Sequence, residues 1–249
     1  MKLERKVALI TGGSRGIGRA VAEEFVREGA TVFVTGQSDQ AALDESIQAI
    51  RELGGEAAGG LFDVGRYAEV ERMAAAADQA FGTVDILVNN AGGIALTPLL
   101  EKRPEEFEET IQTHLLGTFF CTQVIVNRFM KSGNGGKIIN ITSPAGVRAV
   151  PGLSDYGAAK AGILQLTKIS AKELLPLNIQ VNCILPVAET RMTDALDEFD
   201  RQTLGDKARS RKGLRPGPAV LSPSFVFFAS ADSDYVTGQM LASDGGAHL

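Results

Sequence analysis

The feature that most constrains the fold is a glycine-rich turn between the first two predicted elements. Residues 6–11 (KVALIT) predict a short apolar strand, and residues 19–28 have the periodicity of a helix. Gly12, Gly16 and Gly18 lie between them. Glycines there permit a tight turn and let the N-terminus of the helix approach a pyrophosphate. The segment therefore predicts a βαβ unit that binds a dinucleotide, with a tight turn that has no ligand as the alternative.

The alternation of strands and helices continues along the chain, with a long helix predicted from Pro104 to about Met130. Such alternation implies a parallel sheet with helices on both faces. We therefore predict one α/β domain over residues 1–249 with a doubly wound parallel sheet. Residues 187–218 are polar and charged, and they predict a short helix within a mobile excursion.

Composition excludes several classes of function. The net charge of −5 argues against a nucleic-acid binder. The sequence has no apolar run long enough for a transmembrane helix and no apolar signal segment, so we expect a cytoplasmic protein with no membrane partner. Cys121 and Cys183 each lie in an apolar run, which favours buried free thiols over a disulfide. With two His and no cysteine cluster, we expect no metal site.

A candidate catalytic pair lies on the helix that Ser154 or Asp155 would cap. Tyr156 and Lys160 are four residues apart, so their side chains share one face of a helix. We expect the ammonium group, roughly 5 Å away, to lower the tyrosine pKa from about 10 by about 2. Ser143 closes an apolar strand and could hold a carbonyl oxygen nearby. Taken alone, the pair could equally be a surface tyrosine and a solvated lysine.

The motifs together resemble those of the short-chain dehydrogenase/reductase family, and the resemblance spans the whole chain. They are residues 11–18 (TGGSRGIG), Asp63, residues 89–92 (NNAG), Ser143, Tyr156 with Lys160, and residues 244–246 (DGG). The resemblance implies a Rossmann-like sheet of seven strands and a nicotinamide dinucleotide cofactor. It also implies reversible hydride transfer to or from a carbonyl or alcohol, and a homo-oligomer, either a tetramer or a dimer.

The resemblance also implies a role for each residue of the site. Ser143 would orient the substrate oxygen, Tyr156 would exchange the proton, and Lys160 would bond the nicotinamide ribose and lower the tyrosine pKa. Asp63 would accept a hydrogen bond from the adenine amino group. The other cofactor-binding residues would be Gly12, Ser14, Arg15, Gly16, Ile17, Gly18, Gln37, Ser38, Val64, Asn90, Ala91, Gly92, Pro186, Val187 and Thr190.

The chain departs from the family pattern at two places. His114 stands where an asparagine usually anchors a water that relays protons to the lysine. Histidine can titrate near neutrality, so a proton relay and a satisfied core histidine are the two alternatives. Residues 185–190 (LPVAET) lack the usual glycine and are one residue shorter, so the resemblance does not fix the backbone path there.

Cofactor choice depends on the end of the second strand. Residues 34–38 (VTGQS) contain no acid to bind a ribose 2′-hydroxyl, and Asp39 lies beyond them. Arg15 and Ser38 would instead meet a 2′-phosphate, although Arg15 could also be a solvated loop cation. We expect NADP as the cofactor, with NAD as the alternative.

The predicted pocket walls at residues 93–96, 145–153 and 187–192 are mostly apolar, which favours a medium-sized apolar ketone or secondary alcohol. A basic cluster is either a solvated face or a dock for an acidic carrier, as a 3-oxoacyl-carrier-protein or 3-oxoacyl-CoA reductase would use. Its residues are Lys207, Arg209, Arg211, Lys212 and Arg215. The alternative outside the enzymes is a non-catalytic protein that binds a dinucleotide and acts as a sensor or scaffold.

Overall fold

The computed structural model describes residues 1–204 and 215–248. The strands are β1 (Val7–Ile10), β2 (Thr31–Gly36), β3 (Ala57–Leu61), β4 (Ile86–Asn89), β5 (Gly136–Ile141), β6 (Ile179–Pro186) and β7 (Met240–Ser243). The α-helices are α1 (Gly16–Arg27), α2 (Gln40–Glu52), α3 (Tyr67–Phe81), α4 (Pro104–Ile111), α5 (Gly117–Ser132), α6 (Ser154–Leu174), α7 (Arg191–Leu204) and α8 (Ser222–Ala229).

The seven strands form one sheet in the order β3-β2-β1-β4-β5-β6-β7. Every neighbouring pair is parallel. The chain first runs outward from β1 to β3 and then crosses to β4 before it continues to β7. Ligands of such sheets bind outside the carboxyl ends of the strands where the direction reverses, which here is between β1 and β4. The predicted Rossmann-like parallel sheet is confirmed.

Apolar cores cover both faces of the sheet. In β1, Ala8 and Ile10 belong to the core shared with Phe25 of α1, whereas Leu9 belongs to the core shared with Met73 of α3. Successive strand residues point to opposite faces, so a central parallel strand must be apolar throughout. This double burial explains the continuous apolar runs in the sequence and fixes the ends of the strands as the edge that holds the site.

The long helix predicted from Pro104 to about Met130 contains a π-helical turn. A π-helical turn over Gln112–Leu116 separates α4 from α5. His114, at its centre, is buried and faces Gly92, while Gly117 packs on Val64. A π turn holds one more residue than an α turn, and such turns occur often at functional sites. The helix predicted from Pro104 to about Met130 is therefore present, and the prediction missed only the π turn, because helical periodicity does not reveal one added residue.

The predicted N-cap (Ser154 or Asp155) of the helix that carries Tyr156 is wrong. Helix α6 begins at Ser154, and the N-cap position is Leu153, which makes no side-chain cap bond. The Asp155 side chain is buried instead of facing the first amides. Both cysteines are buried and free, as predicted.

The predicted excursion contains α7, a longer helix than expected. Arg215 does not face solvent, because its guanidinium donates to both carboxylate oxygens of Asp197 at 2.8 and 3.0 Å. The other members of the basic cluster, Lys207, Arg209, Arg211 and Lys212, lie outside the described residues. Within the described ranges, no helix is long and apolar enough to cross a membrane.

Candidate active site

The turn after β1 is shaped by glycines that approach other backbone atoms closely. A Cβ at Gly12, where φ is +66°, would lie 2.8 Å from the Ala91 Cα, and one at Gly18 would lie 2.4 Å from the Gly12 oxygen. The Asn90 side-chain amide donates to the carbonyls of Thr11 and Gly12, both at 2.8 Å. The corner after β4 therefore holds the turn after β1 in place, and neither glycine can be replaced without moving that corner.

A cleft of about 500 Å³ opens beside this turn. The predicted cofactor residues that line it are Gly12, Ser14, Arg15, Gln37, Ser38, Asp63, Val64, Ala91 and Gly92. Four more predicted cofactor residues adjoin the cleft without lining it: Gly16, Ile17 and Gly18 in the first turn of α1, and Asn90 in the corner after β4.

The N-terminus of α1 suits an anion. No side chain caps it, and its first turn contains no acid. The free amides and the positive end of the helix dipole therefore remain to bind a pyrophosphate. A Cβ at Gly16, which begins the helix, would meet no atom within 4 Å. The residues present thus fit a dinucleotide.

The adenosine end of the cleft contains an ion pair. The Arg15 guanidinium bonds the carboxylate of Asp39, which also accepts the Ala42 amide at 3.1 Å and so caps α2. The Ala42 amide and then Arg15 hold the pKa of Asp39 below its ordinary value. The sequence placed Asp39 beyond the cleft, but the structure places it on the cleft wall beside Gln37 and Ser38. This position is a correction, and it arises because the helix cap turns the chain back toward Arg15.

The structure brings Ser143, Tyr156 and Lys160 together at the carboxyl end of β5. Tyr156 and Lys160 are 6% and 4% exposed. The Lys160 Nζ donates to the Ile141 carbonyl at 2.7 Å and lies 5.5 Å from the centroid of the Tyr156 ring. The Ser143 Oγ accepts the Ala145 amide at 3.2 Å. The side chains of Tyr156 and Lys160, four residues apart on α6, thus lie beside Ser143 at the end of β5, as the sequence predicts.

The acidities of this group differ from the prediction. Burial raises the pKa of Tyr156 to about 12, although a hydrogen bond with Ser143 opposes the rise. Burial also lowers the pKa of Lys160 to about 7. The expected lowering of the tyrosine pKa by Lys160 is therefore wrong for the chain's own groups. The ammonium group is bound to a backbone carbonyl, and desolvation outweighs its attraction for a phenolate.

His114 reaches this group from the π turn. Its Nε2 is 2.8 Å from the Gly93 carbonyl oxygen, which can only accept, so Nε2 carries the proton. The buried Nδ1 is then an acceptor, and it has no hydrogen-bond partner among residues 1–204 and 215–248. Burial lowers the pKa of His114 to about 3. Burial thus disfavours the charged ring, and the ability of histidine to titrate near neutrality is not retained here.

The shortened loop after β6 runs directly from the sheet into α7. Pro186 ends β6, and the Val187 amide donates to the Ser243 carbonyl at 3.1 Å. The Thr190 hydroxyl accepts the Thr193 amide at 3.4 Å, at the start of α7. Met192, in the second position of that helix, accepts a hydrogen bond from the Tyr156 hydroxyl at 3.7 Å. The predicted apolar wall at residues 187–192 thus reaches the Tyr156 hydroxyl.

Sequence reasoning missed a buried ion pair behind the site, between Lys102 and Asp155. The only signal was an acid directly before Tyr156, and a helix cap was the simpler interpretation. In the part of the chain that the structure describes, no group of three or more His, Cys, Asp or Glu is arranged to hold a metal ion.

Comparison with known proteins agrees with this geometry. The family model for short chain dehydrogenases matches residues 6–201. A 3-oxoacyl-(acyl-carrier-protein) reductase FabG of Thermotoga maritima is 37% identical over 247 residues, which cover 99% of each chain. A diacetyl reductase, (S)-acetoin forming, of Staphylococcus epidermidis is 36% identical and covers 97% of this chain and 98% of its own.

A solved structure has the same architecture. The carveol dehydrogenase of Mycobacterium avium in complex with NAD superposes with a TM-score of 0.90. It is 26% identical, over 99% of this chain and 98% of its own. The chain therefore belongs to the short-chain dehydrogenase family, and it is an oxidoreductase that transfers a hydride between a nicotinamide dinucleotide and a carbonyl or alcohol group.

Proposed function

We propose that Tyr156 exchanges the proton of this reaction, that Ser143 orients the substrate oxygen, and that Lys160 binds the nicotinamide ribose. The observation that carries the proposal is the convergence of these three side chains, two of them buried, at the end of β5. The bound nicotinamide supplies or accepts the hydride. As hydride reaches a carbonyl carbon, negative charge grows on the oxygen, and fixed hydroxyl groups stabilise that charge.

The hydrogen bonds of the chain support these roles. Because the Ser143 Oγ accepts the Ala145 amide, its own proton points outward, where it can be donated to the Tyr156 oxygen or to a substrate oxygen. The Tyr156 pKa of about 12 suits a proton donor during reduction. In the oxidative direction, the positive charge of the oxidised nicotinamide favours the phenolate. The Lys160 pKa of about 7 leaves its amine able to exchange a proton at neutral pH.

For His114, we propose a role as a neutral hydrogen-bond acceptor rather than as an acid. Its pKa of about 3 keeps the ring uncharged at neutral pH. Its Nδ1 is buried and has no partner among the described residues. It can therefore accept a hydrogen bond from a water or hydroxyl of a proton relay while the ring stays neutral. Of the two alternatives for His114, we thus propose the proton relay, with the ring acting as a neutral hydrogen-bond acceptor and not as a group that gains and loses a proton.

NADP is the proposed cofactor. The cleft has Gln37 and Ser38 at the end of β2, where a carboxylate would select a ribose 2′-hydroxyl. The Arg15 guanidinium reaches the same end of the cleft, and guanidinium groups bind phosphate well. The pairing of Arg15 with Asp39 limits this preference, since a 2′-phosphate would have to share the cation. NAD is the alternative.

The proposed substrate is a medium-sized, mainly apolar ketone or secondary alcohol. The soft Met192 sulfur that bonds the Tyr156 hydroxyl lies where a substrate oxygen would receive the proton, so one weakly polar side chain flanks the reacting centre. A second candidate is a 3-oxoacyl thioester, because the Thermotoga maritima relative bears that name at 37% identity. Arg215, engaged with Asp197, is not available for docking an acidic carrier.

A substrate panel tests the proposal. The purified chain is assayed with NADPH and with NADH against apolar ketones, diketones and 3-oxoacyl thioesters, and the nicotinamide absorbance is followed. Turnover of apolar ketones above thioesters is the expected result. Thioester preference would select the second candidate, and turnover of neither class would overturn the substrate proposal.

We further propose that residues 1–249 act as one domain, that the chain is cytoplasmic, and that it forms a homo-oligomer, a tetramer or a dimer. The buried free Cys121 and Cys183 support a reducing compartment. Phe107 on α4 and Phe119 on α5 are each more than a third exposed, which supports a protein interface on these helices. Light scattering tests the assembly, with a mass four or two times 26.3 kDa expected.

A further inference from the structure

A buried ion pair lies behind the wall of the cleft. The Lys102 Nζ is 3.0 Å from the Asp155 Oδ2, and the two side chains are 3% and 1% exposed. The Thr110 hydroxyl donates to the same oxygen at 2.8 Å. Lys102 also donates to the Ala95 carbonyl at 3.2 Å. The other carboxylate oxygen of Asp155 is buried and has no hydrogen-bond partner in the described part of the chain.

This pair joins three parts of the site. Lys102 ends the loop between β4 and α4, Thr110 lies on α4, and Asp155 directly precedes Tyr156 on α6. Ala95 and Thr110 both line the cleft. A single carboxylate oxygen therefore contacts the loop and α4 from the helix that carries the catalytic tyrosine.

The lysine also determines the shape of the loop. By donating to Ala95, seven residues before it, Lys102 folds the loop back on itself and then ties it to α6. A second tie is the Thr97 amide, which donates to the Gly152 carbonyl at 3.1 Å just before the helix. The Lys102 ammonium group and the Thr97 backbone bond thus both tie the segment that contains Ala95 to the start of α6.

Buried ion pairs add little stability compared with neutral side chains, because the loss of hydration offsets the attraction. Their hydrogen bonds nevertheless have strict directions, so a satisfied pair fixes where both partners lie. Burial raises the pKa of Asp155, but the bonds from Thr110 and Lys102 outweigh it and hold that pKa below its ordinary value. The carboxylate therefore stays ionised and keeps its hold on the loop at neutral pH.

We propose that Lys102 and Asp155 are positioning residues that hold the Ala95 wall of the substrate pocket at a fixed distance from the Tyr156 hydroxyl. The inference rests on the proposed proton exchange by Tyr156. Ala95 and Thr110 also line the cleft, but the contacts of the pair lie on the loop, α4 and the start of α6, away from the glycine turn, so we assign the pair to substrate alignment.

The test compares Lys102→Met with the double variant Lys102→Met/Asp155→Asn. The single variant leaves a buried carboxylate without its cation, so we expect its Tm to fall by about 10 °C. We also expect the KM for the best ketone of the panel to rise about tenfold, while kcat falls by a similar factor. The dissociation constant of NADPH, measured by fluorescence titration, stays within about twofold because no contact at the glycine turn is lost.

The double variant separates positioning from stability. It removes both charges, so its Tm returns close to that of the parent, while KM stays raised and kcat stays low. Arg103→Met is the matched control, since it removes one positive charge at the neighbouring position, where the arginine side chain paired with Glu106 is 70% exposed. Its kinetics are expected to match the parent.

Recovery of Tm together with recovery of KM and kcat would overturn the proposal, since the pair would then only stabilise the fold. Unchanged kinetics in Lys102→Met would overturn it too. Tyr156→Phe is measured in parallel: retained turnover there would refute the proposed function itself, independently of the result for Lys102.

Discussion

The imidazole of His114 stands edge-on to the ring of Tyr156, with ring centroids 5.1 Å apart and planes at 88°. The histidine is therefore a direct neighbour of the tyrosine for which we propose proton exchange. Its Nδ1 has no partner among the described residues, and its Nε2 is held by the Gly93 carbonyl.

Replacing His114 by alanine is expected to slow turnover more than it weakens cofactor binding. The variant loses a hydrogen-bond acceptor and an aromatic contact beside Tyr156, which together correspond to about a tenfold lower kcat. Steady-state kinetics and NADPH titration measure the two effects. His114→Asn, which retains an acceptor, serves as the control and should recover part of kcat. Unchanged turnover in a folded His114→Ala protein would contradict the relay role and show that His114 is only a structural residue.

The acid stability of the protein should also depend on His114. Its pKa falls from 6.5 to about 3 on folding, so between these values the unfolded chain binds a proton that the folded chain does not. Stability from this residue is complete above pH 6.5 and is lost as the pH falls toward 3. At pH 5 the loss is about 2 kcal/mol.

Urea unfolding of the parent and of His114→Asn at pH 7.5 and pH 5 measures this loss. The free energy of unfolding of the parent should fall by the larger amount between the two pH values. Equal falls in both proteins would show that the ring is protonated in the folded state or is exposed to water.

Tyr156→Phe is expected to abolish turnover while NADPH still binds. The phenylalanine keeps the buried ring but cannot exchange a proton, and loss of a general acid lowers rates by about 100-fold to 10,000-fold. Tyr235→Phe removes a hydroxyl from a fully exposed ring and is the matched control. Substantial ketone reduction by the Tyr156 variant would assign the proton to another group.

Cofactor preference should change with either partner of the Arg15–Asp39 pair. Arg15→Ala removes the cation proposed to bind the 2′-phosphate, so its kcat/KM for NADPH should fall about tenfold or more, with little change for NADH. Asp39→Asn frees the guanidinium and should lower the KM for NADPH. A parent preference for NADH of about tenfold or more would contradict the proposal.

The sequence predicts well those features that depend on short-range periodicity. Alternating apolar strands and helices determine the parallel sheet, and the four-residue spacing of Tyr156 and Lys160 places both beside Ser143. Features that depend on which side chains are desolvated were not predictable. In the sequence, Asp155 has the position of an exposed helix cap, but the packing of α4 against α6 buries it. Asp39 lines the cleft because it caps α2. The pKa values of Tyr156 and Lys160 follow from the same burial.

The contact between Gly92 and His114 constrains how these two positions can evolve. A Cβ at Gly92 would lie 2.0 Å from the His114 Cε1, and the backbone there has a φ of +150°. Any side chain acquired at Gly92 while the histidine is present would displace the ring from Tyr156. A smaller residue at His114 meets no such obstacle. The two sites are therefore coupled, and because the φ of Gly92 disfavours a side chain in any case, Gly92 stays constrained even after position 114 becomes smaller.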